Sequence, residues 1–306
     1  MNLFIVGNGF DLAHFLPTKY ENFHTYLKNT YPGALQTDLS FDISSITHPD
    51  GSEIFEANEV VAFIIDIISE AETNGDKWCD LENSLGKLDF EKYFDEMSYL
   101  YDEADDDFNE FHRAYDYEDV SSNFHDVIIK VKDLFAEWIN SIKISDVKAK
   151  QTFKEILDTS NDYCINFNYT RVLEDIYGAK NVFHLHGQQN SEIIIGHGIN
   201  QNEDSRYIGT EDALWEIHHA LKKDTSKVIE HWKSLFDSLN LVDKIYSHGF
   251  SFSDVDLPYI KRVCETVNTE SVTWFLNDFE ESIIREEYMN RIRRCGYRGA
   301  FSAFSL

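Results

Sequence analysis

The sequence predicts an α/β fold in which a mainly parallel sheet carries a large all-helical insertion after its first strand. Three observations carry that prediction. The chain opens on the apolar run Asn2-Leu3-Phe4-Ile5-Val6, which breaks at once into Gly7-Asn8-Gly9-Phe10-Asp11, the pattern of a first β-strand feeding a glycine turn. Three further apolar runs end on Gly, Asn, His or Ser, at 163–170, 181–187 and 244–251. Residues 55–158, by contrast, read almost wholly as helix.

In chain order, strands are expected at 2–7, 162–167, 181–186, 192–196, 243–248 and 271–276, and helices at 19–30, 171–178, 211–221, 225–239, 257–267 and 279–294. Strands alternating with helices imply βαβ units and a sheet covered on both faces. The α/β core is therefore assigned to 1–34 and 159–306, and the helical insertion to 35–158. Within the insertion, Val60-Val61-Ala62-Phe63-Ile64-Ile65 and Val127-Ile128-Ile129-Lys130-Val131 are read as the apolar cores of two long helices. The run Tyr101-Asp102-Glu103-Ala104-Asp105-Asp106-Asp107 reads as a solvated face or loop. Apolar helices of this extent exceed what a connection needs, so the insertion is expected to overhang the crevice at the strand ends and to carry regulation or self-association.

Composition narrows the function classes. A chain of 306 residues with 42% hydrophobic and 14% aromatic content can bury a full core. No apolar stretch approaches the roughly 18 residues that cross a bilayer, and the N-terminus runs into a strand without a basic leader, so a cytoplasmic protein with no membrane partner is expected. A net charge of −28 argues against nonspecific nucleic-acid binding, which needs Lys and Arg to replace phosphate counterions. Arg291, Arg293, Arg294 and Arg298 leave room for a local basic patch. Cys79, Cys164, Cys264 and Cys295 stand singly, which predicts neither a disulfide nor a structural zinc site.

The strand ends supply the candidate chemistry, because ligands of open parallel sheets bind outside the carboxyl ends of the strands. Gly7 and Gly9 permit a tight turn whose N–H groups could seat a phosphate. Asp11 either caps the helix that follows or meets a ribose. Asn168 either ends its strand, as asparagine often does, or holds a ribose hydroxyl or a water. His184 and His186, two apart on a strand, are expected on one face, and with His197 they would make a three-histidine metal site. Trp78-Cys79-Asp80-Leu81-Glu82 reads as a helix start whose Glu82 is a surface acid.

Taken in order, Gly7-Asn8-Gly9-Phe10-Asp11-Leu12-Ala13-His14 with Leu16-Pro17-Thr18-Lys19-Tyr20, Trp78-Cys79-Asp80-Leu81-Glu82, Asn166-Phe167-Asn168-Tyr169-Thr170, His184-Leu185-His186-Gly187 and the run from His248 to Tyr259 resemble the motif set of the bacteriophage abortive-infection AbiH family. That family is in turn similar to the sirtuin-like NAD-binding proteins, which implies a Rossmann-like, sirtuin-like sheet. By that resemblance Gly7, Asn8, Gly9, Phe10, Asp11 and Pro17 form the NAD-binding turn and loop. Asn168 falls beside the nicotinamide ribose, His186-Gly187 matches the catalytic His-Gly pair, and Gly249-Phe250-Ser251 matches the turn that receives the adenosine ribose. Thr170 and Asp256 are counted with the cofactor-binding positions. Asp11 stands where sirtuins place serine, Thr170 where they place aspartate, and the Cys-x-x-Cys zinc module is missing, which argues against deacylation.

The resemblance implies a phage-defence effector that hydrolyses NAD at the nicotinamide–ribose bond, with His186 as general base and Asn168 positioning the ribose or water, NAD as substrate, and no metal. A phage-derived trigger or partner protein and a second copy of the chain are the other expected partners. Two alternatives stand beside it: a sensor or scaffold that binds NAD or ADP-ribose without turnover, and a metal-dependent hydrolase or nuclease built on His184, His186 and His197.

Overall fold

The computed structural model describes residues 1–49, 53–72, 78, 80–99, 110–200 and 205–305. The chain divides into two compact units, one of Met1–Lys19, Ile139–Ile194 and Lys223–Leu306, the other of Tyr20–Trp138 and Ile195–Lys222. The charge run at 101–107 and Cys79 lie outside the described residues. These units differ in their bounds from the expected division at 35 and 158, because residues 20–34 and 195–222 also group with the helical part and residues 139–158 group with the sheet.

The first unit is built on six parallel strands: β1 (Asn2–Val6), β4 (Tyr163–Asn166), β5 (Val182–His184), β6 (Lys244–His248), β7 (Thr273–Asn277) and β8 (Ala300–Phe304). Their spatial order is β5-β4-β1-β6-β7-β8. The chain therefore builds outward from β1 through β4 and β5, then returns to the other side of β1 with β6, so the order reverses between β1 and β6. β1 is buried on both faces, with Leu3, Phe4, Ile5 and Val6 all at most 1% exposed, which is why this strand reads as a continuous apolar run. On one face the register aligns Phe4 with Tyr246 and Tyr246 with Phe275, and the rings stack at 5.0 and 4.6 Å. On the other, Leu3, Ile5, Ile165, Ile245 and Trp274 join the main core.

Among the described residues of the second unit, helices predominate, with a small antiparallel pair, β2 (Ser45–Thr47) with β3 (Glu53–Phe55). Its core is aromatic. Phe124 lies 5.0 Å from Phe63, 5.3 Å from Tyr93 and 5.6 Å from Phe94, ring centre to ring centre. Helix Ala57–Ala71 buries Val60, Val61, Ala62, Phe63 and Ile64 as the sequence predicts. The second apolar run does not form the core of one long helix. It spans the join between helix Glu110–Ile128 and helix Val131–Ser141, and buries Val127, Ile128 and Val131 there.

Two strands also depart from expectation. Residues 192–196 add no strand to the sheet. Gly187, at φ +82°, and Asn190, at φ +60°, turn the chain straight back, Ile193 bridges Gly187 in antiparallel fashion, and the Ile194 N–H donates to His186 O at 2.8 Å. The turn is far too short for the crossover that a parallel neighbour needs. The edge strand β8 has no counterpart among the expected strands, because the small residues Ala300, Ser302 and Ala303 give it little apolar pattern.

The glycines between β1 and β6 yield a stability prediction. A Cβ on Gly9 would lie 2.5 Å from the Gly249 Cα, and one on Gly249, held at φ +64°, would lie 2.3 Å from the Phe10 nitrogen. Gly178, at φ +74°, has nothing within 4 Å of its Cβ position. Chemical denaturation should therefore show Gly249→Ala and Gly9→Ala losing about 3 kcal/mol or failing to fold, and Gly178→Ala losing about 1 kcal/mol. Equal losses at Gly249 and Gly178 with none at Gly9, which is not at positive φ, would show that backbone conformation alone matters.

Candidate functional site

The strand ends meet at one level because the register is continuous. Val6 pairs with Asn166 on one side and with His248 on the other, and Asn166 pairs with His184. The ladder then runs one step further: the Gly7 N–H donates to His248 O at 3.1 Å, Phe167 N–H to Val6 O at 2.9 Å and Leu185 N–H to Asn166 O at 3.1 Å. Beyond it, the turns after β1 and β6 pack backbone on backbone, with Gly9 N–H donating to Gly249 O at 2.9 Å. Phe10 N–H returns to Gly7 O at 2.8 Å. The donors of Gly7, Gly9 and Phe10 thus bond within the chain, and the glycines are required by loop-to-loop contact.

A buried polar cluster sits on this platform. Asn168, 5% exposed, donates its amide to Gly7 O at 3.0 Å and to Asp11 Oδ1 at 3.2 Å. The Thr170 hydroxyl donates to Asp11 Oδ2 at 2.7 Å. Burial pushes the Asp11 carboxyl up to about 7 from its ordinary 3.8, while the Thr170 bond and the charge of His184 pull the other way. A carboxyl that titrates near neutrality inside a strand-end cluster is the environment in which functional acids are found.

The two histidines of the β5 motif do not share a face. β5 ends at His184, and His186 lies beyond it in the turn to Gly187, so the two-residue alternation stops before it applies. The His184 Nδ1 lies 2.9 Å from Asn168 O and its Nε2 2.9 Å from Glu174 Oε1. Arg171 Nη1 stands 3.7 Å from that same carboxylate oxygen. A backbone carbonyl can only accept, so Nδ1 donates to Asn168 O, and Nε2 faces the Glu174 carboxyl. His186 goes elsewhere, edge-on to Phe167 at 5.1 Å and near Tyr259 at 5.7 Å. Its Nε2 is buried without a hydrogen bond and lies 3.5 Å from Asp256 Oδ1. Burial and the nearby Lys223 charge hold the ring neutral, pushing its pKa down to about 3 against the opposing pull of Asp256. Lys223 Nζ reaches Asp256 Oδ1 at 3.3 Å, and Ser253 Oγ donates to Asp256 Oδ2 at 3.2 Å.

The other expected residues divide. Asn8 holds the Pro17 loop: its amide donates to Thr18 O at 2.9 Å and accepts from Thr18 Oγ1 at 2.5 Å, while Pro17 itself is exposed. The Phe10 side chain is core, 1% exposed among His14, Phe153 and Tyr177. Ser251 is exposed, and the serine of that loop that meets Asp256 is Ser253. His197 belongs to the helical unit, where its Nε2 meets His218 O at 3.0 Å and its Nδ1 accepts from Ile199 N–H. Among the described residues no group of three or more His, Cys, Asp or Glu side chains is placed to hold a metal ion. Trp78 is fully buried in the helical unit, stacked on His24 at 4.5 Å. Arg291 and Arg293 are tied to Glu287 and to the carbonyls of Phe252, Tyr297 and Gly299. Lys223, Ser253 and Glu174 join the cluster without a sequence signal. Lys222-Lys223 reads as a solvated helix end, yet Lys223 is 3% exposed.

Asp11 makes the site visible in the pH dependence of stability. Its folded pKa lies above the unfolded one, so between about pH 4 and 7 the folded protein keeps a proton that the unfolded chain releases, and stability falls as pH rises through that window. The span corresponds to about 4 kcal/mol. The neutral buried His186 and His248, the latter at about 4, act in the opposite sense, since the unfolded chain protonates them first below pH 6.5. Comparing Asp11→Asn with wild type cancels their part, and the Thr170 hydroxyl can turn to accept from the new amide. The variant should gain about 4 kcal/mol on wild type between pH 4 and 8, read by denaturant titration. A difference that does not change with pH would contradict the assignment.

No helix among the described residues is long and apolar enough to cross a membrane. No curated protein and no solved structure matches the chain. The profile of one family, described as bacteriophage abortive infection AbiH, matches residues 3–278 and so takes in the glycine turn, Asn168, the His184-Leu185-His186-Gly187 motif and the loop to Tyr259. With strand-end motifs and helical unit alike inside the matched span, the chain belongs to the bacteriophage abortive-infection AbiH family.

Proposed function

We propose that this protein acts in phage defence by hydrolysing NAD at the nicotinamide–ribose bond, at the strand ends of β1, β4, β5 and β6. The observation that carries the reading is the His186 Nε2, buried, without a hydrogen bond, and 3.5 Å from the Asp256 carboxylate. A buried polar atom left without a partner costs about 1–3 kcal/mol, and a fold keeps such a cost where it serves binding or chemistry. The strand order supports the substrate class, since counted along the chain the sheet runs 3-2-1-4-5-6, the order of dinucleotide-binding Rossmann-like domains, with the cluster beside the reversal.

In this reading the nicotinamide leaves with the electrons of its bond to the ribose, which neutralises its positive ring and leaves an oxocarbenium-like carbon. Water adds to that carbon and gives its proton to the neutral His186. Asp256 steadies the charge that the ring acquires, and Lys223 holds Asp256 in place. Asn168 lines the neighbouring strand end and orients the ribose hydroxyls or the water. The glycine turn shapes the platform rather than offering the N–H groups of Gly7, Gly9 and Phe10 to a phosphate.

Asp11 and Thr170, bonded to each other beside the strand ends, favour a second reading in which the same site binds NAD or ADP-ribose without turnover.

His186 separates function from folding better than Asn168, whose loss strips two buried hydrogen bonds. His186→Phe fills the same space between Phe167 and Tyr259 and leaves no polar atom unpaired. It should keep or raise thermal stability, within about 1 kcal/mol, while abolishing NAD loss in infected cells and nicotinamide release by the activated protein. Wild-type release by the variant would overturn the mechanism. NAD binding without release by the wild type would establish the sensor reading instead.

A further inference from the structure

A cleft of about 610 Å³ runs beside the edge strand β5, inside the sheet-bearing unit; His184 and Gly187 of the strand-end motif line it, and His186 does not. Its size lies in the range of small-molecule sites, roughly 300–1,000 Å³. Arg171, Lys180 and Lys227 line it, against the acids Glu174 and Glu192. Arg171 is paired with Asp175 at 3.3 Å, while Lys227, 3.6 Å from Asp224, and Lys180 present their ammonium groups at the cleft. The half-buried indole of Trp232 forms an aromatic wall. At the inner end Glu174 Oε1 is taken by His184, whereas Oε2 is buried with no hydrogen-bond partner.

These features prescribe a polarity. A phosphate belongs with Lys180 and Lys227 and is repelled by Glu174, whose unpartnered oxygen calls for a hydroxyl or amino donor, and a flat base suits the indole face. We propose that the cleft binds a nucleoside monophosphate, and that its occupancy is relayed to the strand-end cluster through Glu174 and His184. The relay is short: Glu174 holds His184 Nε2, and His184 Nδ1 holds the backbone carbonyl of Asn168. A donor arriving at Oε2 shifts the carboxylate that orients this imidazole. The relay rests on the reading of Asn168 as a site residue; the binding does not.

The test is calorimetric titration of the full chain at low salt with AMP, GMP, CMP and UMP, and with inorganic phosphate alone. At least one nucleotide should bind wild type while phosphate at the same concentration does not. Lys180→Gln with Lys227→Gln, both exposed and therefore neutral for folding, should weaken that nucleotide about tenfold or more, and Trp232→Leu should weaken it comparably. His186→Phe should bind it as wild type does, and the ring nitrogen signals of His184 should shift on titration. The proposal is overturned if no nucleotide binds, if phosphate alone binds equally, or if the lysine variant binds unchanged. Loss of binding in His186→Phe would place the nucleotide at the strand ends, which refutes the cleft and leaves the NAD reading standing. Binding without a His184 shift refutes the relay alone.

Discussion

The site depends on a contact with no side chains in it. The turns after β1 and β6 lie backbone against backbone, so Gly7, Gly9 and Gly249 must all be glycine, and Gly249 must also sit at positive φ. This contact sets the height of the platform between the two strands where the sheet order reverses. Asn168 then reaches across to the Gly7 carbonyl, and Asp11 enters from the first helical turn to meet Asn168 and Thr170. A side chain at any of the three glycines would lift one loop off the other and take the carbonyl, the amide and the carboxyl out of register together.

On that platform the protein keeps polar groups that a purely structural core would avoid. Asp11, His186, Lys223 and Asp256 are each at most 6% exposed, and burial of such groups is unfavourable unless their partners are well placed. Some are well served, as Asp11 is by Thr170 and Asn168. His186 is not, since the nearest carboxylate approaches its Nε2 without a hydrogen bond. The contrast between satisfied and unsatisfied polar atoms within one cluster separates scaffold from reactive group. It assigns Thr170, Asp11 and the Asn168 amide nitrogen to holding the loops together, and leaves His186, with His248 Nδ1 and Glu174 Oε2 beside the same strand ends, as groups whose placement folding alone does not explain.

Much of this was legible in the sequence. The apolar run into Gly7-Asn8-Gly9 marks the first strand, and the strand-end rule points Asn168 and His186 toward one crevice, whereas Asp256 enters through the family resemblance alone. What local pattern could not reveal was contact at long range. Gly9 reads as a phosphate turn because its true neighbour, Gly249, lies in the loop after another strand. Lys223 reads as surface because it follows Lys222 at a helix end, and its buried partner Asp256 lies far along the chain. Ser251 and Ser253 flank the same phenylalanine, and the loop's path decides which one faces inward. The pairing of His184 with His186 failed for a local reason: β5 is three residues long, so alternation ends before the second histidine.

The most direct measurement is a crystal structure of the full chain grown with a non-hydrolysable NAD analogue. The ribose that carries the nicotinamide should lie within hydrogen-bond distance of His186 Nε2 and beside Asn168, above the turns of Gly7 and Gly249. An analogue bound away from His186, or no binding at saturating concentration, would contradict the assignment of the strand ends as the NAD site.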